Sequence, residues 1–326
     1  MSNISSMRKN YFFSSLLFLF FGFIASATAL DYPTKAVRFI VSFPAGGNAD
    51  LISRLVAQGL SNALGKPFVI DNRGGAGGIV AEEITAKSSP DGYTMLEVSI
   101  AHVVNPNLNI KVPYDPIKDL APISVVASVP NVLVVHNSVN AKTVSELIAL
   151  AKAKPNQLNY ASSQGTSLHL CAALFTKLTG VNIFEINYKS GALAIPDLEG
   201  GRVQMAFSSI STAISVVKYG RIRALAVTSA QRSKVIPDLP TIAEFVPGYE
   251  MTGWQAILVP AGTPVQLINR LSTNIASIIR QPEMQDRLIS IGADPVGSSA
   301  EEFSRFRMSE FKKMTDLMVK VDFKKD

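Results

Sequence analysis

Short β-rich runs alternating with stretches of helical spacing, repeated along most of the chain, restrict the fold more than any other feature. Residues 37–43 form a β-rich run, and residues 49–64 then place Leu51, Leu55, Val56, Leu60 and Leu64 at helical intervals. Residues 68–71 predict a second strand, residues 74–78 open a helix reaching about Lys87, and residues 93–98 predict a third strand. Parallel strands need a long crossover, which a helix supplies while covering one face of the sheet. The expected result is an α/β fold of layers around a largely parallel sheet. Residues 122–136 are valine-rich and too long for one ordinary strand of about 5–6 residues, so they are expected to leave one sheet and enter another.

A second αβ series follows, with helices expected at 144–154, 168–179, 193–199 and 210–218 and strands at 158–161, 183–187, 203–208 and 223–228. Residues 254–259 predict a strand that returns to the first lobe. Two amphipathic helices, about 264–280 and 300–321, complete the chain, with Phe303, Phe306, Met308 and Phe311 assigned to packing. A length of 326 residues exceeds the common domain size of about 100–150 and fits two lobes.

Residues 1–29 carry Arg8 and Lys9, an apolar run at 11–25 and the small-residue triplet Ala27-Thr28-Ala29, the three parts of a secretory signal cleaved after about Ala29. The apolar run is shorter than the ~20 residues that span a bilayer. Cleavage removes both cations and no acid, taking the formal charge from +6 to +4. Cations are scattered without interleaved aromatics, which argues against nucleic acid. One cysteine, Cys171, excludes an internal disulfide framework, and three histidines are too few for a convincing metal site. No cofactor is expected: Val80 occupies the position where a dinucleotide fingerprint counted from Gly75 needs its third glycine, and no Gly-Lys-Ser/Thr follows.

Candidate binding residues lie where strands give way to helices. Phe43, Pro44, Ala45, Gly46, Gly47 and Asn48 precede the first helix, where free amides and a positive dipole favour an anion. The alternative is a plain turn with Asp50 as helix cap. Ser163, Gln164, Thr166 and Ser167 offer a second cradle, and Tyr188, Ser208 and Ser209 each follow a strand, the position from which open α/β sheets present ligand groups. Ser99 and His102 follow the third strand. A serine hydrolase using Ser163 or Ser167 with His169 lacks the Gly-x-Ser-x-Gly elbow, and Ser167 and His169 do not share a helix face.

Beyond these readings, an ordered set of motifs resembles one family along the whole mature chain, the Bug-type periplasmic solute-binding proteins that serve tripartite tricarboxylate transporters. The set comprises Tyr32-Pro33, Phe43-Pro44-Ala45-Gly46-Gly47 with Asp50, Leu64-Gly65-Lys66-Pro67, Asn72-Arg73 with Gly75-Ala76-Gly77-Gly78, and Pro90-Asp91-Gly92-Tyr93-Thr94. Tyr114-Asp115-Pro116, Gly165 through His169, Tyr188-Lys189, Gly200-Gly201, Leu225 through Thr228, Pro240-Thr241 and Pro260-Ala261-Gly262-Thr263-Pro264 continue it in order. Ala45 and Gly74 depart from the pattern, each standing where the family commonly has proline.

The resemblance implies a two-lobed periplasmic binding protein fold of type II-like architecture, with two crossing strands between lobes. Residues 30–128 and 255–326 would form lobe 1, and residues 129–254 lobe 2. It further implies a monomer that is not an enzyme, captures a small organic acid between the lobes and delivers it to membrane permease subunits. The first lobe's Phe43–Asn48 loop, Ser99 and His102 would face Ser163, Thr166, Ser167, Tyr188 and Ser208 across the cleft. A sensory receptor of the same fold is the alternative function, with the secreted hydrolase a third.

Overall fold

The computed structural model describes residues 31–108, 112–163, 166–188 and 191–318. The expected signal at 1–29, Gln164 and the far end of the last expected helix lie outside these residues. The chain divides into a short unit, Met1–Tyr32, and a large one, Pro33–Asp326, which holds every element below.

The first βα units are β1 (Val37–Val41), α1 (Asn48–Leu64), β2 (Phe68–Asn72), α2 (Ile79–Ala86), β3 (Thr94–Ser99) and the single turn α3 (Ala101–Val104). Then come β4 (Leu120–Val129), β5 (Asn131–His136), α4 (Val144–Ala153), β6 (Asn159–Ser162), α5 (Ser167–Thr179), β7 (Phe184–Asn187), α6 (Gly191–Glu199), β8 (Met205–Ser209), α7 (Ile210–Lys218) and β9 (Ile222–Val227). β10 (Gly253–Pro260), α8 (Val265–Ile279), α9 (Pro282–Ser290), β11 (Asp294–Pro295) and α10 (Ala300–Met318) complete the described chain.

These strands form two sheets, ordered β11-β4-β10-β3-β1-β2 and β7-β6-β8-β5-β9. β1 pairs in parallel with β2 and β3, and β6 with β7 and β8, as their crossover helices require. Each sheet also takes one strand arriving from the other lobe, and that strand runs antiparallel to its neighbours: β10 against β3 and β4, β5 against β8 and β9. The valine-rich stretch is thus two strands, broken at Pro130, which has no amide to donate to a ladder. The chain changes sheet there and again between Val227 and Gly253.

Two expectations need correction. The C-terminal portion holds three helices of eight residues or more, because α9 intervenes; its core stripe is only Met284 and Leu288, too thin to register as a periodic pattern. Met308 is half exposed on α10, whereas Phe303 is fully buried. Phe303 packs edge to face with the buried Trp254, and Phe306 does the same from the next turn.

Candidate functional site

Ligand groups in open α/β sheets are presented beyond the carboxyl ends of the strands. Here the segments that follow β1, β3, β6, β7 and β8 line one cavity of about 510 Å³ between the lobes, through Asn48, Ser99, Thr166, Gly191 and Ser209 among others. Its floor is made by the two crossings, with Val129 and Asn131 flanking the first and Gly253, Trp254 and Gln255 opening the second.

Four helices of eight residues or more begin at this cavity. Asn48 starts α1, Thr166 precedes Ser167 of α5, Gly191 starts α6, and Ser209 caps α7. Each helix start carries roughly half a positive charge and amides without an intrahelical acceptor. No described residue lining the cavity is Asp, Glu, Lys, Arg or His. The site therefore offers positive potential through backbone dipoles and polar side chains, a combination suited to holding a small anion without a side-chain counterion.

The first loop is built by one carboxylate. Asp50 accepts from Gly46 N–H at 2.9 Å, Arg54 Nε at 2.9 Å and Asn72 Nδ2 at 3.0 Å, and Asn72 also donates to the Phe43 carbonyl. Burial pushes the Asp50 carboxyl up, but these bonds outweigh it and hold it below the usual range. Asp50 is the third residue of α1 and the N-cap is Gly47, so the expected Asp50 cap is replaced by a staple that ties loop, helix and β2 together. Gly46, with φ +89°, adopts the left-handed conformation that glycine tolerates, and its amide already has an acceptor. The first-turn donors that remain are those of Gly47, Asn48, Ala49 and Asp50; the first α1 amide to find a backbone acceptor is Leu51, on Gly47 O.

Phe43, Asn48, Ser99, Thr166, Ser167, Ser208 and Ser209 all line the cavity. Ser99 Oγ accepts from Ala101 N–H at 3.2 Å, which leaves its proton for a ligand. Pro44, Ala45, Gly46 and Gly47 are exposed and outside the lining. Ser163 is buried and lends its carbonyl to the Thr166 hydroxyl at 2.6 Å, so Thr166 has its one proton committed within the loop. Replacing Thr166 with valine should therefore lower stability by about 0.5–1.5 kcal/mol in a denaturant titration, besides any effect on binding. Ser209 is likewise engaged, donating to Thr212 Oγ1 at 2.6 Å and accepting from Thr212 N–H at 3.2 Å.

Two expected contacts, His102 and Tyr188, lie elsewhere. α3 turns His102 back into the lobe, where its ring is fully buried, 2.6 Å from Glu82 Oε2 and edge to face with Phe311. Tyr188 donates to Asp197 Oδ2 at 2.8 Å and is outside the lining. His169, the base of the hydrolase alternative, lies 3.8 Å from Glu185 Oε1, and burial lowers its pKa despite the Glu185 charge.

The structure adds Gly77, Asn105, Asn131, Thr212 and Gln255 to the lining. Gly77, at φ +64°, sits so close to Asn105 that an added Cβ would come within 3.1 Å of Asn105 Oδ1, and its carbonyl accepts from Asn105 Nδ2 at 2.9 Å. Gln255 pairs with Ser99 across β10 and β3 and is 9% exposed, and its Oε1 is buried without a partner among the described residues. Its signal was a lone amide in the otherwise apolar strand 254–259.

Two α/β lobes joined by crossing strands, with strand ends and helix starts converging on one cleft whose described lining holds no charged side chain, define a solute-binding protein. Residues 52–323 match the tripartite tricarboxylate transporter family receptor model, and the chain belongs to that family of solute receptors, which are periplasmic and not enzymes. Protein BugT of Bordetella pertussis is 34% identical over 296 residues, covering 90% of this chain and 91% of its own. The solved structure of R. palustris Rpa4515 with adipate is 36% identical, covers 88% of this chain and 97% of its own, and superposes with a TM-score of 0.73. MatC of Rhodopseudomonas palustris with bound malate is 26% identical over 88% of this chain and 99% of its own, with a TM-score of 0.68. Among the described residues no helix is long and apolar enough to cross a membrane.

Proposed function

We propose that this receptor captures a small carboxylate-bearing metabolite in the interlobe cleft and delivers it to the permease subunits of a tripartite tricarboxylate-type transporter. The observation that carries the reading is the convergence of four helix N-termini on a cavity whose described lining holds no charged side chain. The adipate and malate held by two relatives fit the same chemistry. Asn48, which lines the cleft, takes one carboxylate beside Ser99, and the amides of Gly47 and Ala49, outside the lining, reach it through water. Ser167, Ser208 and Gln255 hold the rest of the molecule, directly or through water. Residues 30–128 and 255–326 act as one lobe and 129–254 as the other, in a monomer exported by a signal cleaved after about Ala29. Closure follows from contacts that the ligand makes only when both lobes reach it.

A thermal-shift screen of organic acids on the mature protein tests this reading, because a ligand that binds the folded state alone raises its melting temperature. Carboxylates should raise it and matched neutral amides should not; equal shifts would overturn the proposal. Gly47→Leu sharpens the test. Gly47 has φ −82°, and an added Cβ would meet only Pro44 O at 3.8 Å, so the fold should tolerate the change while carboxylate affinity falls tenfold or more by calorimetry. Gly46→Leu, at φ +89°, should instead cost about 1–2 kcal/mol of stability.

A further inference from the structure

Behind the first-lobe half of the cleft lies a buried group of titratable side chains that ligand contact does not explain. Glu97 on β3, Glu82 on α2 and His102 on α3 are each at most 2% exposed. Ser42 N–H donates to Glu97 Oε2 at 3.2 Å, the Ser42 hydroxyl donates to the Glu97 carbonyl, and Glu97 Oε1 meets no partner among the described residues. Glu97 points to the same face of the sheet as Ser99, two residues or about 7 Å along the strand, and Gln255 stands opposite Ser99. The Gly77–Gly78 turn closes the gap: Gly77 lines the cleft, and an added Cβ on Gly78 would lie 3.3 Å from Ser42 Cβ and 3.8 Å from Glu82 Oε1.

The groups on the elements packed against β3 supply no counterion for Glu97. α2 presents Glu82, paired with His102 of α3 at 2.6 Å, and Glu83, paired with Lys87. On α1, Asp50 and Arg54 pair with each other, on β1 Arg38 pairs with Asp71, and β10 has no titratable side chain. Tyr114 and Arg307 feel the charge of Glu82. Burial, partly offset by the Ser42 amide and reinforced by Glu82, pushes the Glu97 carboxyl up to about 8. A neutral Glu97 leaves the positive potential of the helix starts intact, whereas an ionised one places an uncompensated negative charge beneath it.

We propose that Glu97 makes anion capture proton-linked: the cleft holds its ligand firmly only while this buried carboxyl carries a proton. The inference rests on the carboxylate-receptor reading and adds a positioning residue that never touches the ligand. The consequence is a receptor that grips its cargo in neutral or acidic surroundings and loosens in alkaline ones.

The test is calorimetric titration of the mature protein with adipate, fully ionised throughout, from pH 7 to pH 9.5. Native affinity should fall at least about tenfold over that range, with net uptake of up to one proton per adipate above pH 8, read from two buffers of different ionisation heat. Glu97→Gln, which keeps an oxygen for the Ser42 amide, should give a flat profile and no proton uptake. A flat native profile without proton uptake, or an equal fall in Glu97→Gln, overturns the proposal. If Glu97→Gln does not fold, the proton count on the native chain decides alone. If adipate does not bind at pH 7, the titration uses whichever acid of the thermal-shift screen does; if none binds, both the carboxylate reading and the linkage built on it fail, and binding that is present but indifferent to pH defeats the linkage only.

Discussion

Ligand-free Glu97→Gln should hold its stability between pH 5 and pH 8, where the native chain loses stability steadily by comparison. Glu97 rises from its ordinary 4.5 in the unfolded chain to about 8 when folded, because burial disfavours its charged form and Glu82 adds to the penalty. Between those values the unfolded chain has released the proton that the folded chain keeps. Folding then takes up a proton and weakens as protons become scarce, so the contribution is complete below pH 4.5 and lost as pH rises through 8. The greatest slope is about 1.4 kcal/mol per pH unit, so the full window amounts to several kcal/mol, a large share of a typical domain's stability. Denaturant titrations of both proteins at pH 5, 6.5 and 8 measure the difference directly. Parallel curves would show that the folded chain does not keep Glu97 neutral.

Trp254→Ala should lower stability by about 3–5 kcal/mol and weaken ligand binding as well. The indole is 2% exposed and meets Phe303 and Phe306 edge to face, with ring centroids 6.1 and 5.7 Å away. Its Nε1 donates to Glu310 Oε2 at 3.3 Å, and Glu310 is itself 3% exposed with Lys313 as its other partner. Truncation thus opens a cavity and deprives a buried carboxyl of a donor. Because Trp254 also forms part of the cleft floor, at the strand that crosses back to the first lobe, the same change should loosen the wall on which the lobes close. Circular dichroism must follow unfolding, since Trp254 is the sole tryptophan. A loss under 1 kcal/mol would mean the aromatic cluster can collapse around the gap.

The alternation of βα units was legible in the sequence because each helix covers a sheet and must therefore show an apolar stripe. The helix expected at 210–218 agrees with α7 to the residue, and most other ends agree within two. What periodicity cannot express is strand direction: β5 and β10 run antiparallel because they arrive from the opposite lobe, a fact about the whole path of the chain. α9 leaves no periodic signal because only two of its residues are buried. At the site, glycines and hydroxyls after strands point to segments that line the cavity, but residue type alone cannot say where a proton points. Thr166 and Ser209 direct theirs into their own loops, Gly46 gives its amide to Asp50, and His102 faces Glu82. Asn131 and Gln255 carry no such mark, because each is a single amide side chain in a strand whose pattern is otherwise mainly apolar.

The central claim is that main-chain donors at helix starts, rather than a side-chain cation, grip a carboxylate between the lobes. A crystal structure of the mature protein with adipate tests it most directly. A carboxylate is expected within about 2.7–3.2 Å of amides among Gly47, Asn48 and Ala49, or joined to them by one ordered water, with the acid's far end toward Ser167 and Gln255. A ligand clamped by lysine or arginine, or lodged outside this cleft, would contradict it.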